Sequence, residues 1–165
     1  MATSYSVLIN KFFDYIEKDR DFFNYFGVDD VVAMEIAQRR AKNYLDEAVW
    51  RMTLECHPSI DLTDRDDETA EFNVDLNGNE TLLLSSLMYE YYLLRDISYL
   101  KLQNVNYTST ELRVFDPSNA RSTFYEMFEG VCSRNRMLID NYNSTDRDSG
   151  ALLGVDYTAY NVDEE

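Results

Sequence analysis

A single histidine, His57, leaves this 165-residue chain short of the usual base of a nucleophilic triad and of a histidine-built metal site. His57 stands beside Pro58 at an expected helix end, and no serine lies in a G-x-S-x-G turn. Cysteine is nearly as scarce. Cys56 and Cys132 are far apart and match no CxxC or Cys/His spacing, so one disulfide stays open while two largely apolar helix positions are the simpler reading. The five glycines include no pair spaced as a P-loop or dinucleotide loop. Positive charge is the other shortage, with 15 Lys+Arg against 31 Asp+Glu and a formal net charge of −16. Such a surface repels free nucleic acid and anionic membranes at long range. Arg39, Arg40 and Lys42 make one local basic patch, a poor footing for sequence-reading DNA binding.

Long apolar runs are missing too. The most apolar stretch, Leu82 to Leu94, carries Glu90 and falls short of the roughly 20 residues that span a bilayer, so no membrane contact is expected. No basic segment followed by an apolar run opens the chain, so no secretory signal is expected. The triplets beginning at Asn79, Asn106 and Asn143 match the glycosylation pattern and are then incidental. The expected address is a cytoplasm or the inside of a particle.

What is present is apolar and aromatic: 45% apolar residues, with 13 Tyr and 9 Phe. That is enough to build a core in one domain. Such rings serve equally in a core or where a packed surface meets another subunit.

The spacing predicts four helices. Val7, Leu8, Phe12, Tyr15 and Ile16 mark the first, from about Ser4 to Glu17. An aromatic turn over Phe22–Phe26 follows, Gly27 offers a left-handed stop and Asp29 a cap. The second helix, Asp30 to about Cys56, has Met34, Ala37, Ala41, Tyr44, Leu45, Ala48, Val49 and Met52 on one stripe, and Pro58 ends it. The third runs from Glu80 to about Asn104 with Asn79 as cap, after a turn at Asn77-Gly78. Its apolar side includes Leu83, Leu84, Leu87, Met88, Tyr91 and Leu94, an arc broad enough for burial by core and neighbour alike. Asp116 caps the fourth, Pro117 opens it, and Ala120, Phe124, Met127, Phe128, Val131, Leu138 and Tyr142 carry it to about Tyr142. Two strand candidates, 71–76 and 111–115, would pair into a small ribbon that needs outside support.

The acidic loop tests as a calcium site and fails. From Asp64, Asp66 and Glu68 fall on ligand positions, yet Thr69 holds the glycine position and Asp75 the twelfth. From Asp75, the glycine position holds Glu80. A solvated acidic loop is the simpler reading. A Cys56-His57 zinc site lacks two further ligands. No cofactor or metal is expected, and no enzyme.

The fold class is therefore mainly α: a four-helix assembly with two long central helices, a small ribbon and an extended tail. Residues 1–143 form the helical domain and 144–165 the acidic C-terminal tail. Within the tail, Leu152, Leu153, Val155, Tyr157 and Tyr160 are candidate partner-binding residues, docking as an added strand or by aromatic anchors. A loose terminus explains them as well.

In organisation the chain resembles the head–tail connector (adaptor) proteins of tailed bacteriophages. The resemblance covers roughly residues 28 to 145. It rests on the long helix containing Met34-Glu35-Ile36-Ala37-Gln38-Arg39-Arg40-Ala41-Lys42-Asn43-Tyr44-Leu45 and the Leu/Tyr-rich helix Leu82 to Tyr92. The remaining element is the connection Phe115-Asp116-Pro117-Ser118-Asn119-Ala120 into a last helix before a tail. These motifs are loose. The resemblance implies a virion component of the neck, made in the host cytoplasm. It would form a ring, commonly of twelve copies, beneath the portal protein and present a platform to the stopper or tail-completion protein. DNA would pass through without sequence-specific binding, past a wall whose carboxylates do not hold phosphate. A channel lined by Arg39, Arg40 and Lys42 would contradict that. The long acidic tail and the N-terminal Phe/Tyr cluster depart from the family, leaving open a stopper, a tail-completion protein or a capsid accessory protein. Two further function classes stand beside it. One is an acidic module, a DNA mimic occupying a nucleic-acid-binding protein. The other is a helical enzyme with a carboxylate-bound metal, for which no E-x-x-H is present.

Overall fold

The computed structural model describes residues 2–17, 19–25, 27–56, 58–106 and 117–154. Among them are four helices, one further helical turn and a three-stranded antiparallel sheet, so the chain is mainly helical as its spacing predicts.

Strand β1, Thr3–Ser4, runs directly into helix α1, Tyr5–Tyr15. Ser4 serves both, with an extended backbone and a hydroxyl that accepts the Ser6 N–H at 3.4 Å as an N-cap. Tyr5, Leu8 and Phe12 form the buried face of α1. The expected aromatic turn is in part a helical turn, α2, Arg20–Phe23, whose Phe22 N–H is held by Asp19. Gly27 adopts φ +75°, where a side chain would be strained. Asp29 then takes the N-cap position, its carbonyl accepting the Ala33 N–H at 2.8 Å.

Helix α3, Asp30–Cys56, has the predicted bounds. Ala37, Ala41, Tyr44, Leu45, Ala48, Val49 and Met52 are buried as expected. Met34 is not, at 43% exposed, and Val31 and Val32 beside it are exposed as well. Periodicity identifies the face of a helix; it does not say whether a neighbour reaches the first turn.

The loop after Pro58 forms a hairpin of β2, Arg65–Asp66, and β3, Glu71–Phe72, across a four-residue turn in which Ala70 takes φ +56°. The sheet order is β1-β3-β2, pairing Thr3 and Arg65 with Phe72, and Ser4 and Asp66 with Glu71. The predicted 71–76 strand is thus two residues long. Both its edges are taken, so the ribbon with 111–115 does not form at Glu71–Phe72; residues 111–115 themselves lie outside the described set.

Asn77-Gly78 turns out to be a helix start. Helix α4, Gly78–Asn106, is capped by Asn77, not by the expected Asn79. Asn77 Oδ1 accepts the Glu80 N–H at 2.9 Å and Glu80 Oε2 accepts the Asn77 N–H at 2.8 Å, a reciprocal capping box. The glutamate three residues on decides the cap, and Asn79 has no such partner.

Helix α4 is the centre of the molecule, packed on α1, α3 and helix α5, Pro117–Ser144. Bonds from Arg51 to Glu90 and from Arg95 to Tyr44 set α3 and α4 antiparallel. Those from Ser86 to Asn135 and from Tyr142 to Glu80 do the same for α4 and α5. Leu83, Leu84, Leu87, Met88, Tyr92, Leu93 and Ile97 are buried over the broad arc predicted. Two members of that expected arc are not: Tyr91 is half-buried and Leu94 is 45% exposed. Pro117 opens α5 as predicted, while its expected cap, Asp116, lies outside the described residues. Phe124, Phe128, Val131, Leu138 and Tyr142 pack on the core, but Met127 is 42% exposed.

One end of the core is aromatic. Phe12 lies within 6.0 Å, centroid to centroid, of Phe22, Tyr44 and Tyr92, mostly edge to face.

Candidate functional site

The residues that could carry chemistry are mostly engaged in structure. Burial pushes the Cys56 thiol up to about 11, and burial together with a hydrogen bond to Glu90 does the same for Cys132. Both thiols are unbridged and protonated at neutral pH, hence poor nucleophiles. His57 lies outside the described residues. In the acidic loop Asp61 accepts from Thr63, Asp64 from Asn73, and Asp66 from the Glu68 and Thr69 N–H groups. These bonds, from backbone N–H groups, the Thr63 hydroxyl and the Asn73 side-chain amide, turn carboxylate oxygens toward the loop itself. Among the described residues no group of three or more His, Cys, Asp or Glu is placed to hold a metal ion.

The basic patch is dismantled in the same way. The Arg40 guanidinium lies 4.3 Å over the Phe22 ring and donates to the Tyr25 hydroxyl at 2.5 Å, and Lys42 pairs with Asp67 at 3.0 Å. Only Arg39 of the three remains on the exposed face.

A buried polar seam joins α3, α4 and α5. Glu90 accepts from Arg51 Nη1 at 2.7 Å, Asn135 Nδ2 at 2.7 Å and Cys132 Sγ at 3.3 Å. Asn135 Nδ2 also donates to the Ser86 carbonyl, and Asn135 Oδ1 accepts the Ser86 hydroxyl at 2.5 Å. Burial alone would raise the Glu90 carboxyl, but the Asn135 and Arg51 donors outweigh it and hold the group below the usual range. Every polar atom of Glu90 has a partner, as a buried carboxylate requires.

Where this seam opens to solvent it forms the floor of a groove between α3 and α4. Glu47, Trp50, Arg51, Leu54 and Glu55 line one wall and Glu90, Tyr91 and Leu94 the other, enclosing about 510 Å³. Trp50 is the chain's one tryptophan and is 66% exposed; Leu54 is 63% exposed. One turn apart on α3, these two flank the buried stripe, and Tyr91 and Leu94 repeat the arrangement on α4. Large apolar side chains set side by side in solvent mark an interaction surface, because scattered ones do not make a trough. Sequence reading placed Tyr91 and Leu94 inside and overlooked Trp50 and Leu54. The available signal was that Trp50 and Leu54 are apolar and off the α3 stripe.

The tail candidates lie elsewhere. Leu152 pairs with Thr145, and the Leu153 N–H reaches the Ser144 carbonyl at 2.7 Å, closing a turn after α5. Arg147 in that turn binds the fully buried Glu80 at 2.7 Å and the Asp75 carbonyl at 2.6 Å, beside Tyr142, which also donates to Glu80. The turn thereby holds Leu152 and Leu153 outward, 77% and 55% exposed. Val155, Tyr157 and Tyr160 lie outside the described residues.

No family model, no curated protein and no solved structure matches this chain.

Proposed function

We propose that the chain is a structural assembly subunit without enzymatic activity, acting as a head–tail connector of a phage neck. The observation that supports an assembly role is the exposed apolar load at the start of α3. Val31, Val32 and Met34, in the first two turns of α3, are between 43% and 65% exposed. A subunit in a ring covers such surfaces with its neighbours. The connector form comes from the resemblance in helix order, and with it a ring of about twelve copies, the portal above and a stopper or tail-completion protein below. The use of Arg40 and Lys42 inside the subunit agrees with a channel wall that does not hold phosphate.

A second reading, the acidic mimic, is favoured by a separate observation. Lys42, Arg51, Arg65 and Arg147 are all spent on ion pairs within the chain. The carboxylate excess is therefore left to the surface.

Light scattering at low and high salt tests both. A large ring, or a monomer that assembles when portal protein is added, supports the connector. A monomer that ignores portal protein yet binds a basic DNA-binding protein with steep salt dependence overturns it in favour of the mimic.

A further inference from the structure

We infer that the trough between α3 and α4 is the docking site for a basic amphipathic helix of a different protein. Neither ring formation nor the connector reading is needed for this. Two antiparallel helices side by side leave a groove into which a third can lay its ridge of side chains. Among the described residues the third position is open on the face where Trp50 and Leu54 on one helix meet Tyr91 and Leu94 on the other. A volume of about 510 Å³ takes several anchor side chains of one helical face, and its openness along the trough suits a segment better than an enclosed small molecule.

Charge decides between occupants. The lining carries three carboxylates, Glu47, Glu55 and Glu90, against one guanidinium, Arg51. Arg51 is already committed to Glu55 and Glu90 at 2.9 and 2.7 Å. Glu47 is exposed and makes no ion pair among the described residues, so it is free to meet a cation at the rim. A two-fold contact between copies of this chain through the same trough would set two acidic rims against each other, each with a Glu47 unpaired among the described residues, a like-charge juxtaposition that opposes association. An acidic or anionic-lipid partner meets the same repulsion. A helix with Leu or Phe on one face and Lys or Arg flanking it matches both the floor and the rim.

Because Trp50 is the only tryptophan, its emission reads occupancy of this site without a label. The full chain is titrated with a synthetic helical Lys/Leu peptide free of aromatic residues, and with a Glu/Leu peptide of the same apolar spacing, at about 50 mM and about 300 mM salt. The expected result is a saturable blue shift with the Lys/Leu peptide, weaker at the higher salt, and none with the Glu/Leu peptide. Glu47→Lys, an exposed change that leaves the packing untouched, should weaken binding about threefold or more at low salt. Leu54→Asp should weaken it about tenfold or more while far-UV circular dichroism stays unchanged. Equal shifts with both peptides, no shift with either, or full binding by both variants would overturn the assignment. An emission already blue-shifted without peptide that moves red on dilution would overturn it too, giving the trough to a second copy.

Discussion

Helix α4 is buried on two sides by different means. Against α1, α2 and α3 its Tyr92 meets Phe12, Phe22 and Tyr44 with ring centroids 5.8 to 6.2 Å apart. Against α5 it presents Ser86 and Glu90 to Asn135, and Glu80 to Tyr142. The first contact is stabilised mainly by area and fit, which are non-directional, with hydrogen bonds such as Tyr92 to Asp19 and Arg95 to Tyr44 at its margins. The second is held by donors and acceptors that must face one another, so any shift of α5 along α4 would leave buried polar groups unpaired. Volume holds one side of the helix, and direction fixes the register of the other.

The largest effect should come from the aromatic side. Phe12→Ala removes a fully buried ring touching several others, and should cost about 4 kcal/mol in urea unfolding. Phe12→Leu keeps most of the apolar volume and should cost about half that or less. Comparable losses from the two variants would mean that ring geometry, and not area, sets the stability of this side. Next in size is Asn135→Leu. The residue it replaces is fully buried and similar in size, so a volume rule predicts little change. A directional rule predicts about 2–3 kcal/mol, because Glu90 Oε2 and the Ser86 hydroxyl and carbonyl lose their partner. A change below about 0.5 kcal/mol in the same urea measurement would erase the distinction between the two sides.

That contrast also explains what could be read from sequence. The Asp29 cap and Pro58 gave α3 its bounds at Asp30 and Cys56, and repeating apolar spacing put Leu83, Leu84, Leu87 and Met88 inside, since burial by area leaves a periodic trace. Directional features leave traces only when both partners are close in the chain. Asn77 and Glu80, three residues apart, form a legible capping box that the neighbouring Asn79 obscured. Glu90 with Asn135, 45 residues away, and Glu80 with Arg147, 67 residues away, depend on which helices become neighbours. The trough was illegible for a related reason. Trp50, Leu54, Tyr91 and Leu94 are apolar, and what distinguishes them from core is that no described element covers them. Of the proposed tail site, Leu152 and Leu153 are held outward by an anchor, Arg147, that gave no periodic signal.

The smallest effects, and the most diagnostic, are in the pH dependence of two carboxyls on α4. Glu90 on the polar side is held below its ordinary range, so the folded state binds its proton more weakly than the unfolded chain does. Its contribution is complete above the unfolded pKa and disappears as pH falls through the folded one. Glu90→Gln should therefore cost about 1–2 kcal/mol near neutrality, moderated because Arg51 keeps Glu55, and the gap from the parent protein should close in acid. Asp96 is displaced the other way. Burial raises it first and the nearby Asp19 adds to the rise, against lowering by Tyr92, Arg40 and Arg95. Its folded state binds the proton more tightly, so its ionised form is a burden near neutrality that is relieved as pH falls through the raised pKa. Asp96→Asn should leave stability near neutrality unchanged or slightly higher, with the advantage fading in acid. Urea unfolding across the acid range would give the two variants difference curves of opposite sign. Curves of the same sign would mean that the donors around Glu90 do not overcome its burial, and the polar side of α4 would then be a cost that packing against α5 offsets.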